Sequence, residues 1–182
     1  MTGTEGKASA RVVLRPTSAE DREALFAIYA STRTEELALL AWSESHKDRF
    51  LRMQFEAQDR HYRGHFPDAS FQVIEVDGGV AGRLYVDRRA DEIRIVDIAL
   101  LPAYRNAGIG GGLLAALIEE GSTHRLPVSV HVEKNNPALR LYRRLGFREV
   151  GDAGVYWLLR RDPDTAADAQ REPGSRDPCR GT

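Results

Sequence analysis

Sulfur is scarce in this chain of 182 residues, which holds one cysteine and two methionines. A lone cysteine excludes an internal disulfide and a cysteine-based zinc cluster. It stands at Cys179, in a segment from Asp162 to Thr182 that contains no Val, Ile, Leu, Met, Phe, Tyr or Trp. A catalytic thiol is therefore not expected, and nothing beside Cys179 marks it for a lipid anchor. No apolar run approaches the ~18–20 residues that span a bilayer, and residues 1–10 lack the apolar stretch of a secretory signal. Charge of one sign is missing as well: 26 Lys and Arg face 27 Asp and Glu, for a formal net charge of −1. With no global basic field and no aromatic stacking platform, nucleic acid is not an expected partner, despite Arg143, Arg144 and Arg148. The expectation is a cytoplasmic protein with no membrane partner.

The terminal segments 1–10 and 162–182 are too poor in apolar side chains to offset their ordering entropy, and both are expected to be disordered. Between them lies a unit of about one domain, 11–161. Arg11–Arg15 reads as a strand stopped by Pro16, and Ser18 opens a helix to Ser31. Helical stretches follow at Glu35–Trp42 and Lys47–Arg63, the second with Leu51, Phe55, Gln58 and Tyr62 at helical spacing. Phe71–Val76 and Val80–Asp87 form a hairpin about Asp77-Gly78-Gly79. Ile93–Leu100 is an apolar strand, Gly110–Thr123 a helix, Val128–Val132 a strand and Ala138–Leu145 a helix. Two closing strands surround a Gly151–Gly154 turn. The order implies a mixed sheet with helices on both faces, antiparallel hairpins, and one parallel pair from the crossover between Ile93 and Val132.

The strand ending at Leu100 runs into a glycine-rich loop, Arg105-Asn106-Ala107-Gly108-Ile109-Gly110-Gly111-Gly112. Glycines admit close approach of a ligand, and N–H groups at a helix start suit phosphate. A dinucleotide fingerprint fails because position 113 is Leu, and a Walker loop fails for want of a lysine. What fits is Arg-x-x-Gly-x-Gly in Arg105, Gly108 and Gly110, although a glycine-eased helix start explains the same residues. Downstream, Asn136 suits an N-cap, Pro137 the first helical position and Gly146 a helix stop. Ala138, Leu141, Tyr142 and Leu145 share one face, where a tyrosine could equally be core.

Taken together, Arg-x-x-Gly-x-Gly and Asn-x-x-Ala-x-x-Leu-Tyr-x-x-Leu-Gly-Phe resemble the GNAT superfamily of acyl-CoA-dependent N-acetyltransferases. The resemblance implies an α/β (α+β) fold with a mixed, mostly antiparallel six- to seven-stranded sheet, helices on both faces and a splayed parallel strand pair. It implies acetyl-CoA as cosubstrate, with its pyrophosphate on the amides of Arg105, Asn106, Ala107, Gly108, Ile109, Gly110 and Gly111. Its pantetheine arm would lie along the backbone of Ile98, Ala99 and Leu100, with Asn135 beside it. The Leu100 N–H would polarise the thioester carbonyl, and Tyr142 would give a proton to the departing thiolate. Transfer to a primary amine would be direct, and a homodimer is among the assemblies such proteins adopt.

A base is the point of departure. Some relatives carry a glutamate twelve residues before the tyrosine, a place held here by Val130, while His131 would point to the other face of a regular strand. Asp97 is the best substitute and Glu133 the next, with a water chain as the alternative. For the acceptor, Glu35, Glu36, Trp42, His61, Tyr62, Arg83 and Tyr85 are the candidates, since acidic and aromatic groups suit a cationic amine. Each of them has a plainer reading as surface or core. His61 and His65 have metal-ligand spacing but no third ligand, so no metal is expected. A non-catalytic acyl-CoA-binding module remains the alternative to an enzyme.

Overall fold

The computed structural model describes residues 10–164. The two segments expected to be disordered fall outside that range except for Ala10 and 162–164, which carry no regular structure. Seven strands form one sheet: β1 (Val12–Pro16), β2 (Ser70–Val76), β3 (Gly79–Arg88), β4 (Ile93–Leu100), β5 (Val128–Glu133), β6 (Arg148–Ala153) and β7 (Tyr156–Arg161). Their order is β1-β2-β3-β4-β5-β7-β6, antiparallel throughout except between β4 and β5. The helices are α1 (Arg22–Ser31), α2 (Thr34–Ala38), α3 (Glu44–His65), α4 (Ile109–His124) and α5 (Leu139–Arg144).

Several boundaries differ from the sequence reading for local reasons. Pro16 belongs to β1, which is tolerable because β1 is an edge strand and needs no ladder donor there. Ser18 opens a 3-10 turn before α1. There the Asp21 carboxylate accepts the Ser18 N–H at 2.7 Å and its hydroxyl at 3.0 Å, while Arg15 grips both carboxylate oxygens at 2.8 Å. The expected Glu35–Trp42 helix shrinks to α2, because Ser43 adopts an extended conformation to cap α3, its hydroxyl accepting from His46 N–H. The first hairpin turns on two residues, Asp77 (φ 50°) and Gly78 (φ 85°), a pair of left-handed conformations that matches strand twist. In the last hairpin Gly151 lies inside β6, and the turn falls at Gly154 and Val155.

Strand alternation sorts the apolar side chains into two cores. Leu25, Phe26, Ile28 and Tyr29 of α1 and Phe55 of α3 pack with Val73 on one face. On the other, Leu114 and Leu117 of α4 and Leu139 and Tyr142 of α5 pack with Ile74, Leu84, Val86, Ile93, Ile95, Val128, Val130, Val132 and Leu159. Within β4 the alternation breaks. Tyr85 pairs with Asp97 and Val86 with Ile95, so Val96 is an extra residue without a partner on β3. This bulge reverses which face each later residue of β4 occupies. Ile98 and Leu100 join the α4–α5 core, and Ala99 joins the α1–α3 core.

Beyond the bulge, β4 lies close against β3 at Gly82, which is opposite Leu100. A Cβ there would stand 2.3 Å from the Ala99 carbonyl oxygen and 2.7 Å from Leu100 Cδ2. Gly82→Ala is therefore expected to destabilise the fold by about 1–3 kcal/mol through overpacking, read as a lower denaturant midpoint. An unchanged midpoint would mean that β4 moves aside freely.

Candidate active site

The parallel pairing of β4 with β5 lasts only from Ile93↔Val128 to Ile95↔Val130. After Val96 the strands part: β4 stays on β3, where Leu101 N–H bonds Ala81 C=O at 2.8 Å, and β5 stays on β7. Antiparallel residues alternate in the direction of their backbone groups. With position 101 bonded to β3, Ala99 also points there, while Ile98 presents N–H and C=O to the open side and Leu100 its N–H, the Leu100 C=O being taken by Arg105. Of the three residues expected along a pantetheine arm, the strand thus offers two.

At the end of β4 the chain passes a short 3-10 turn, Pro102–Tyr104, and enters the glycine loop. Gly108 has φ 81°, which lets the loop reverse into α4. Among the described residues, the N–H groups of Asn106 through Gly111 meet no backbone acceptor, and the first to do so is Gly112, bonded to Gly108 C=O at 2.9 Å. A Cβ at Gly108 or Gly112 would meet nothing within 4 Å, so the approach to these amides is open. This is a cradle for a polyanion at a helix start. Arg105 helps to build it, its Nε bonding Leu100 C=O at 2.8 Å and its Nη2 bonding Ser31 Oγ at 3.0 Å. Its guanidinium is thus engaged in tying the loop to β4 and α1.

Tyr142 is set by the end of α5. Gly146 takes φ 84°, Phe147 N–H bonds Tyr142 C=O and Gly146 N–H bonds Arg143 C=O, both at 3.0 Å. That is a Schellman stop, and its usual apolar contact is the edge-on packing of Phe147 on Tyr142, ring centroids 5.3 Å apart. At the other end the Asn136 side chain accepts Ala138 N–H at 2.8 Å, but this bond closes the turn that precedes α5, whose N-cap position is Ala138 and not the expected Asn136. Tyr142 is 4% exposed. Burial, reinforced by the negative charge of Asp97, raises its phenol well above the ordinary value, so the proton stays on at neutral pH.

Asp97 follows the bulge on the face shared with Arg83 and Tyr85. Arg83 Nη2 stands 2.6 Å from Asp97 Oδ2 and donates to Gln58 Oε1 of α3 at 2.8 Å. Tyr85 packs between Phe71 (4.8 Å) and Tyr62 (6.1 Å). Burial pushes Tyr85 up to about 12 and raises Tyr62 too, each with a further rise from the Asp97 charge. The structure therefore brings Asp97, Arg83, Tyr85 and Tyr62 together on one face beside the parted strands, and the charge of Asp97 is felt by Tyr142 on the other.

Other expected acceptor residues are placed elsewhere. Trp42 stacks on His46 (4.6 Å) at the start of α3, about 24 Å along the helix from Tyr62 at 1.5 Å per residue. His61 stacks on His65 at 4.0 Å on the exposed side, and no metal-binding group of three ligands occurs among the described residues. Glu35 and Glu36 are exposed on α2, Glu36 paired with Arg33. Arg83 is not an accessible acceptor contact, being covered by α1 and α3. As for bases, Val130 is buried in the α4–α5 core, Glu133 is bound by Arg33 at 3.1 Å, and His131 is exposed against Arg94, which with burial lowers its pKa. Asn135 is exposed in the turn after β5. The residue that sequence reasoning missed is Val96, although the spacing of three between Ile95 and Ile98 in an otherwise alternating strand was the available signal.

The profile of the acetyltransferase (GNAT) family matches residues 29–147. The chain belongs to the GNAT acetyltransferase family. A Bacillus subtilis (strain 168) protein assigned as a ribosomal protein bS18-alanine N-acetyltransferase is 34% identical over 94 residues, 50% of this chain and 62% of the relative. An N-alpha-acetyltransferase of Sulfurisphaera tokodaii is 35% identical over 100 residues, 46% of this chain and 59% of the relative. The chain thus matches about three-fifths of the length of these GNAT relatives. Among solved structures, PaiA N-acetyltransferase of Thermoplasma acidophilum in complex with coenzyme A superimposes with TM-score 0.63 at 18% identity, over 84% of this chain and 99% of that one. The GNAT fold, with its parted parallel strands, is the one described above.

Since the folded GNAT domain holds the phenolic protons of Tyr62, Tyr85 and Tyr142 more tightly than an unfolded chain does, their contribution to stability is intact below about pH 10 and declines above it. An absorbance titration should show phenolate forming in two stages, the later one shrinking by about one third in Tyr142→Phe. A single stage near pH 10 would contradict this burial.

Proposed function

We propose that this protein transfers an acetyl group from acetyl-CoA to a primary amine, and that the amine is the α-amino group of a polypeptide. The observation that carries the reading is the continuous arrangement of free loop amides, open β4 edge and protonated Tyr142 around one opening. Acetyl-CoA supplies an activated thioester, from which the acyl carbon passes to nitrogen as the C–S bond breaks and the C–N bond forms. The N–H groups of Asn106 through Gly111 hold the pyrophosphate, and Ile98 and Leu100 hold the amide-bearing arm. Leu100 N–H polarises the thioester carbonyl, Asn135 borders the arm, and Tyr142 keeps a proton ready at its hydroxyl for the departing sulfur. Asp97 stands at the amine end. The proton that the nitrogen sheds goes either to Asp97 or to water.

The α-amine is favoured on acidity. An α-amino group with pKa ~7.7–8.0 is about one-third neutral near pH 7.5, whereas a lysine amine with pKa ~10.4 is about 0.1% neutral. With Val130 apolar and Glu133 bound by Arg33, β5 offers no free carboxylate to deprotonate a lysine. Both relatives are also named for α-amino or alanine acetylation. The turn at Gly154 and Val155 is short, which leaves room for a peptide.

Thiol release should be seen with acetyl-CoA and a peptide bearing a free α-amine. It should be at least ~10-fold slower with the N-acetylated peptide bearing one lysine, or with a small polyamine. Gly108→Trp with Arg105→Ala should abolish cofactor binding by calorimetry, since the left-handed φ and the loop tether are both lost. Tyr142→Phe should slow turnover by a factor of about 10²–10⁴ with cofactor affinity little changed. Tight cofactor binding without turnover on any amine would leave the non-catalytic module as the better reading.

A further inference from the structure

The polar cluster beneath the opening is larger than acetyl transfer alone requires. Three buried side-chain atoms there lack an aligned hydrogen-bond partner among the described residues: Arg83 Nε, Tyr85 Oη and Asp97 Oδ2, the last held by its charge contact with Arg83 Nη2 at 2.6 Å. A guanidinium that is 3% exposed is an expensive group to place on β3, next to the core residue Leu84. Its contacts give the reason. The Arg83 side chain is held by Gln58 from α3, lies near the ring of Tyr29 from α1, and meets Asp97 at Oδ2, 2.6 Å from Nη2. Because Oδ2 is covered while the Asp97 side chain is 19% exposed, the accessible part of that carboxyl includes Oδ1.

We propose that Arg83 is a positioning residue that grips Asp97 Oδ2 from beneath the sheet and leaves Oδ1 turned to the cleft as an anchor for the acceptor's ammonium group, a role that rests on the acetyl-transfer reading above. Around Asp97 stand Arg83 and Tyr85 of β3 on the same sheet face, with Gln58 of α3 behind Arg83; its charge is felt by the phenols of Tyr62 and Tyr142, and the charges of Asp59 and Arg63 on α3 are felt by Tyr85. The three phenols are neutral at working pH, and the Asp59 charge that Tyr85 also feels is paired with Arg63 at 3.1 Å, so Asp97 is the carboxylate this cluster offers an incoming ammonium. The anchored ammonium then loses its proton to water, which becomes hydronium, before the freed lone pair attacks the acyl carbon. The bulge at Val96 is what brings this carboxylate onto the face of Arg83, since an unbulged strand would turn it into the α4–α5 core.

The test compares Asp97→Asn, Arg83→Met and Arg83→Lys with the parent protein, using a free α-amine peptide. An anchor role raises KM about 10- to 100-fold in Asp97→Asn, as expected for a lost charged hydrogen bond, with kcat at saturating peptide within about 3-fold. Arg83→Met moves KM in the same direction, and Arg83→Lys recovers part of the loss. In all of them kcat/KM still rises with pH up to the pKa of the peptide amine, and a peptide whose N-terminal α-amine is replaced by an acyl hydrazide NH2, neutral at pH 7, shows no KM penalty. Binding is read separately by titrating free-amine and N-acetylated peptide into the coenzyme A complex, where Asp97→Asn weakens only the first. If Asp97→Asn instead slows turnover at saturating peptide by a factor of about 10²–10⁴ and leaves KM unchanged, Asp97 is the base and the anchor is overturned. Arg83 variants indistinguishable from the parent would overturn the positioning role. If Arg83→Met does not fold, Arg83→Lys decides through the same KM. A parent protein that acetylates no amine would defeat the acetyl-transfer reading instead, while the peptide titration still reports on Arg83 and Asp97.

Discussion

Everything around the opening depends on how β4 leaves its neighbours. With the extra residue Val96, the strand keeps its ladder with β3 but changes the face each later side chain occupies. Asp97 arrives beside Arg83, while Ile98 and Leu100 enter the α4–α5 core. The same kink ends the pairing with β5 at Ile95↔Val130, so both backbone groups of Ile98 and the N–H of Leu100 are left facing an open edge. One inserted residue therefore creates the gap, supplies its hydrogen-bonding edge and aims its carboxylate.

The two cores make that gap rigid. Gly82 lets β3 and β4 close to a distance that no side chain would allow, and the Leu101–Ala81 bond continues the ladder past the last residue of the strand. Arg105 then fastens the loop to both β4 and α1, which keeps the row of unbonded amides in place without using any of them. On the far side of the gap, the Schellman stop at Gly146 locks Phe147 against Tyr142. A phenol held this way loses little further freedom when it acts, which is the usual meaning of preorganisation.

The charged groups divide between exposed and buried duties. Several arginines form exposed pairs with carboxylates, such as Arg52 with Glu23 and Arg88 with Glu120, and contribute little each. Arg83 is different because its partner Asp97 lies at the opening and its burial leaves no alternative in water. A charge placed there makes sense as a constraint on one oxygen of one carboxylate, not as a source of stability.

The loop and the Leu-Tyr-x-x-Leu-Gly-Phe stop were legible in the amino-acid order, because each is a local device whose residues bond within a few positions of one another. The two hairpins were legible for the same reason, since short turns such as Asp77-Gly78 dictate neighbours, whereas the placement of β1 beside β2 and of β7 beside β5 came only with the structure. What the order of residues could not convey was which side chains meet across long separations: that Glu133 is taken by Arg33, that Trp42 packs on the start of α3, and that Arg83 lies under the sheet. Those contacts depend on how the elements pack in space, and no periodicity encodes them. The face of Asp97 lies between the two groups: the spacing of three from Ile95 to Ile98 signals an inserted residue, but only the pairing with β3 shows that Val96 is the one left out.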